Sequence, residues 1–128
     1  MIFCDLDKVL VNQTSRKRFD LMDWMPDGRE LWAFLAPLQP TILSQLMADI
    51  YDVSKPEKLI WCARELGPDV RVIVVRGEEG KHYHSGPGHI LIDDTEGHRA
   101  NWVRRGGTFI LHRTASESIA ELHLEMQL

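Results

Sequence analysis

Apolar residues fall into short, nearly continuous runs separated by segments of helical spacing. Met1 to Leu6 is apolar apart from Asp5, and the acid stands where a buried strand should stop. Thr41 to Ser44 forms a second run after Pro40, and Val70 to Val75 a third, rich in β-branched residues. His89 to Ile92 and Thr108 to Leu111 repeat the pattern. Continuous rather than alternating apolarity predicts strands covered on both faces.

The intervening segments read as helices. Leu31, Trp32 and Leu35 predict a helix over Arg29 to Leu35 that ends near Pro37. Lys55 to Leu66 carries Leu59, Ile60, Ala63 and Leu66 at helical spacing and closes at Gly67. A third helix spans Glu96 to Arg105 and stops at Gly106 and Gly107, and Ala115 to Leu124 supplies a fourth. Val11 to Phe19 is polar and reads as an exposed loop, whose cluster Ser15, Arg16, Lys17 and Arg18 is either solvated or steers phosphate. Alternating strands and helices predict an α/β fold, a Rossmann-like three-layer sandwich around a five-stranded parallel sheet. Ligands in such folds bind beyond the carboxyl ends of the strands.

Composition narrows the picture. The chain has 128 residues, enough for one domain over 1–128 with a single core. Apolar residues make up 44% and charged residues 27%, so neither disorder nor a membrane protein is indicated. A net charge of -4 argues against the broad basic face of a sequence-independent nucleic-acid binder. No segment resembles a signal peptide or a membrane span, and a cytoplasmic, reducing location is expected. Cys4 and Cys62 lack paired metal-ligand spacing and read as buried free thiols.

The chemistry-bearing positions gather at strand ends. Asp5 and Asp7 follow the first strand, Ser44 ends the second, Lys81 lies in the loop after the third, and Asp93 and Asp94 end the fourth. The topology puts all of them on one rim. Two carboxylate clusters, a hydroxyl and a lysine suit magnesium-assisted phosphoryl transfer, since a hard cation takes oxygen ligands and the phosphate needs its charge offset. Lys55 and Lys58 compete with Lys81 but read as solvent-facing helix charge. His82, His84 and His89 complete no tetrahedral ligand set and read as loop histidines. Trp32, Trp61 and Trp102 read as core, with Trp24 left as the tryptophan to watch.

The run Phe3-Cys4-Asp5-Leu6-Asp7-Lys8-Val9-Leu10 resembles the first motif of the haloacid dehalogenase superfamily, and Ile90-Leu91-Ile92-Asp93-Asp94 its fourth. Ile42-Leu43-Ser44 is similar to the second motif, and Lys81 stands in the place of the third-motif lysine. Asn101-Trp102 followed by Gly106-Gly107-Thr108 resembles the 5'(3')-deoxyribonucleotidase-like branch. The resemblance implies a magnesium-dependent phosphomonoesterase with Asp5 as nucleophile and Asp7 as proton carrier. It implies Ser44 and Lys81 as phosphoryl contacts, and a cation held by Asp5, Asp93, Asp94 and the backbone carbonyl of Asp7. Lys8 replaces the more common glycine and would bring charge toward the substrate entrance.

Members of the superfamily usually carry a cap domain. The stretch between the first and second motifs must also supply a helix here, so a cap-less core is expected. Its rim would be open, or covered only by the Val11 to Pro26 loop or a neighbouring subunit, which leaves room for a homo-oligomer. A nucleotide, a nucleic-acid end or another phosphomonoester fits that expectation. The competing readings are a catalytically inactive binding or regulatory module on the same core, and a receiver-like signalling domain. The Asp-x-Asp at the first strand speaks against the latter.

Overall fold

The computed structural model describes residues 1–14, 18–77 and 80–127. The basic residues Arg16 and Lys17, with Ser15, lie outside the described residues, so the steering role considered for that cluster has no structural counterpart beyond Arg18. Arg18 is exposed and pairs with Asp20 at 3.1 Å.

Five strands form one parallel sheet: β1 (Ile2–Cys4), β4 (Thr41–Leu46), β5 (Val72–Arg76), β6 (Ile90–Asp93) and β7 (Thr108–Leu111). Their spatial order is β5-β4-β1-β6-β7. The chain builds outward from β1 to β5, then returns to the other side of β1 for β6 and β7. Such a reversal opens a crevice at the carboxyl ends of the strands flanking it. Two short strands, β2 (Val11–Asn12) and β3 (Asp23–Trp24), pair antiparallel, so Val11 and Asn12, expected to open an exposed loop, form one arm of a small ribbon.

Side chains of β1 alternate between two cores, as the two-residue period of a strand requires. Ile2 and Cys4 enter a large cluster with Leu31 and Leu35 of α1 (Gly28–Leu35), Trp61 and Cys62 of α2 (Tyr51–Glu65), and Leu122 of α4 (Ala115–Met126). Phe3 enters a smaller cluster on the opposite face with Leu43, Val75, Leu91, Phe109 and Trp102 of α3 (Arg99–Arg104). The three layers expected from the sequence are present. Glu96 to His98, expected to open the third helix, is instead a separate 3₁₀ turn before α3.

Helix α2 departs most from expectation. It begins at Tyr51 rather than Lys55, and its buried positions are Lys58, Trp61 and Cys62. Leu59 and Ile60, expected to face the core, are 39% and 48% exposed, and Ala63 is exposed as well. The helix is rotated because Lys58, at i−3 and i−4 from Trp61 and Cys62, is drawn inward by polar partners under the sheet's rim. Among the described residues no helix is long and apolar enough to cross a membrane.

Candidate active site

Register sets the first part of the site. Cys4 lies beside Ile92 in the β1–β6 ladder, so the residues that follow, Asp5 and Asp93, emerge side by side at the carboxyl edge. Asp5 is held there by its own N–H donating to the carbonyl of Ile92 at 2.9 Å. The Oδ1 of Asp5 accepts the Leu6 N–H and the Lys81 ammonium, each at 2.8 Å. Lys81 also donates to Oδ2 of Asp93 at 2.7 Å, while Oδ1 of Asp93 accepts the Thr95 N–H at 2.9 Å. Lys81 sits on a 3₁₀ turn, Lys81–His84, that carries it from the β5 side of the rim across to both acids.

All three side chains are nearly withdrawn from water, and their charges are set by one another. Burial opposes ionisation of Asp5, but Lys81 and the Leu6 N–H more than offset it and hold the carboxyl below its ordinary range. Burial and the charge of Asp5 push Asp93 up. Burial alone would discharge Lys81, yet Asp5 and Asp93 hold its ammonium well above its usual range. Asp94 is pushed to about 7 by burial and by its two acidic neighbours, Asp5 and Asp93.

Asp7 belongs to a second cluster. The segment after β1 turns tightly: the Lys8 N–H donates to Val11 at 2.8 Å, and Lys8 itself adopts a left-handed φ of 63°. That turn brings Oδ2 of Asp7 to the ammonium of Lys58 at 3.0 Å. Lys58 also donates to the Ser44 hydroxyl at 2.5 Å and to the Gln45 carbonyl at 3.3 Å. Burial raises the Asp7 carboxyl above its ordinary range, with Lys58 acting in the opposite direction. The two aspartates therefore sit in contrasting environments two residues apart.

A cavity of about 460 Å³ opens over these groups. Asp5, Asp7, Lys8, Lys81, Asp93 and Asp94 all line it. Ser44 is buried, lies next to Lys58, and does not reach the lining, where its neighbour Gln45 is found. Gln13, Met47, Thr95 and His98 complete the wall, none of which the sequence had marked. Lys58 is the principal residue missed. The available signal was its position on the same helical stripe as Trp61 and Cys62, which should have counted against a solvent-facing lysine.

The remaining candidates lie elsewhere. Lys55 donates to the Tyr51 hydroxyl on the surface of α2. Nδ1 of His89 contacts the His84 carbonyl at 2.8 Å, and both rings pack near Phe3. Trp24 packs on Trp61 with 5.1 Å between ring centroids and donates to Glu65, away from the site.

No family model matches the chain. No curated protein matches it either. Among solved structures it is similar to D,D-heptose 1,7-bisphosphate phosphatase from Burkholderia thailandensis, with a TM-score of 0.54 at 12% identity. The alignment covers 94% of this chain and 83% of that one. At that identity the likeness speaks for the fold alone, a three-layer α/β core around a parallel sheet.

One carboxylate oxygen from each of Asp5, Asp93 and Asp94 lies within 4.8 Å of the others. An all-oxygen donor set fits a hard divalent cation such as Mg²⁺ better than a softer metal. The side chain of Asp7 stands outside this trio, tied to Lys58.

Proposed function

We propose that the chain is a magnesium-dependent phosphomonoester hydrolase that works through an aspartyl-phosphate. The observation that carries this reading is the division of labour between Asp5 and Asp7. One carboxylate is ionised and fixed by Lys81 and a backbone N–H; the other is protonation-prone, and both line one cavity.

In this reading Asp5 attacks the phosphorus, the ester P–O bond breaks, and the departing oxygen takes the proton of Asp7. Asp7 then removes a proton from water as the water oxygen attacks the phosphorus. Inorganic phosphate leaves and both aspartates return to their starting states. Lys81 orients Asp5 and offsets charge on the phosphoryl oxygens. Ser44, expected as a phosphoryl contact, is buried behind the cavity wall and accepts from Lys58, so its part is to hold that lysine. Mg²⁺, held by Asp5, Asp93 and Asp94 with the Asp7 carbonyl, would neutralise charge on the transferring group.

The cavity is open and its wall mixes Lys8, Gln13, Met47 and His98. That suits a substrate with a polar body, and nucleotides and phosphorylated nucleic-acid ends are the first to test. The decisive experiment is Mg²⁺-dependent phosphate release from 4-nitrophenyl phosphate, followed by a screen of nucleoside monophosphates and 5'- and 3'-phosphorylated DNA. Asp5→Asn should lower turnover by about 10³-fold or more while leaving the fold intact. Turnover unchanged by that substitution would remove Asp5 as nucleophile.

A further inference from the structure

We propose that Lys58 is the positioning residue for the proton carrier: it fixes the side chain of Asp7 in the cavity wall. The proposal rests on the phosphatase reading above and adds to it a residue on α2, remote in sequence from every motif.

The ammonium of Lys58 has three protons and meets three acceptors, Oδ2 of Asp7, Oγ of Ser44 and the carbonyl of Gln45. Its valence is satisfied by these groups, and it also lies 5.0 Å from the centroid of the Phe19 ring. Lys58 is fully buried and does not line the cavity, so substrate does not reach it. A lysine without exposed surface is retained only where its charge and donors are used.

The consequence falls on Asp7. The ammonium donates to Oδ2 and so fixes the orientation of the carboxyl. Oδ1 is buried and makes no hydrogen bond among the described residues, although Asp7 lines the cavity. Lys58 thus prevents the carboxyl from rotating, which is the preorganisation that proton transfer to a leaving group needs. Its contacts with Ser44 and the Gln45 carbonyl tie the same device to β4.

The test separates this role from a structural one by leaving-group dependence. An alkyl phosphate needs its departing oxygen protonated; 4-nitrophenyl phosphate, whose leaving group is stable as an anion, hardly does. With kcat/KM as the readout, hydrolysis of the shared aspartyl-phosphate drops out of the comparison. Lys58→Met should lower kcat/KM for a nucleoside monophosphate by roughly 10²-fold, and for 4-nitrophenyl phosphate by at least about tenfold less. Equal losses on both substrates, or no loss on either, overturn the proposal while the wild-type activity keeps the phosphatase reading intact. A wild type inert with Mg²⁺ on both substrates overturns that reading and the proposal together. Should Lys58→Met not fold, the same ratio is read on Lys58→Arg, which keeps the charge but changes the three-way geometry. A loss concentrated on the alkyl substrate supports the proposal, and an even loss overturns it.

Discussion

At the residue scale, burial decides what each ionisable group can do. Cys4 and Cys62 are both buried, and burial pushes the Cys62 thiol up to about 12. A thiol reacts as thiolate and only where reagent can reach it. Native protein at pH 8 should therefore leave both thiols unmodified by a disulfide reagent such as 5,5'-dithiobis(2-nitrobenzoic acid), and denaturant should release two per chain; rapid native reaction would contradict the packing around β1 and α2. The same dependence on surroundings explains what was readable about the site. The placement of Asp5, Asp7, Asp93 and Asp94 on one rim could be read from sequence because strand ends are recognisable and acids are out of place there, and that of Lys81 because it follows the third strand. Lys58 could not be distinguished from Lys55 by residue type, since only the partners brought by β1 and β4 draw one inward.

At the element scale, short-range chemistry sets where helices start. Thr114 precedes α4, and its hydroxyl accepts the Glu117 N–H at 3.2 Å, satisfying one of the helix's unpaired amides. Thr114→Ala should cost about 1 kcal/mol, read from denaturant unfolding. Gly28 opens α1 under a different constraint, because a Cβ there would stand 2.7 Å from the backbone carbonyl of Leu10. Gly28→Ala should destabilise the protein despite alanine's better helix propensity, and a neutral or raised melting temperature would show that the β1–α1 junction yields. Strand β7 occupies Thr108–Leu111 as its apolar run suggests, whereas β4 continues to Leu46, past the Ser44 where the run was read to end. Gln45 is polar, yet β5 offers it a paired backbone through Val75. Helix α2 has apolar residues on more than one face, with Val53 and Ile60 exposed, so Leu59 and Ile60 compete with the stripe of Lys58, Trp61 and Cys62 for the inward face.

At the scale of the molecule, the crevice beside β1 concentrates three carboxylates against one lysine. A cation bound by Asp5, Asp93 and Asp94 would stabilise the folded chain by mass action, about 2.7 kcal/mol at a hundredfold excess over its dissociation constant. Millimolar Mg²⁺ should raise the melting temperature, chelation should reverse the gain, and Asp93→Asn should abolish it; a melting temperature indifferent to Mg²⁺ would count against the trio as ligands. Access to that crevice is also a property of the whole. The ribbon of β2 and β3 brings Gln13 to the wall, and among the described residues it adds no separate domain over the cavity.

The sequence by itself determined the class of fold and the residues of the first cluster, because both are written in local terms: runs of apolar residues that end in acids, in an order that a parallel sheet converts into adjacency. What only the tertiary structure decided was how those residues are partnered. Lys81 bridges Asp5 to Asp93 and Lys58 takes Asp7, an allocation that depends on strand order, helix rotation and a tight turn at Lys8 acting together. Hydrogen bonds at 3 Å are fixed by distances between elements, and no spacing along the chain encodes those distances.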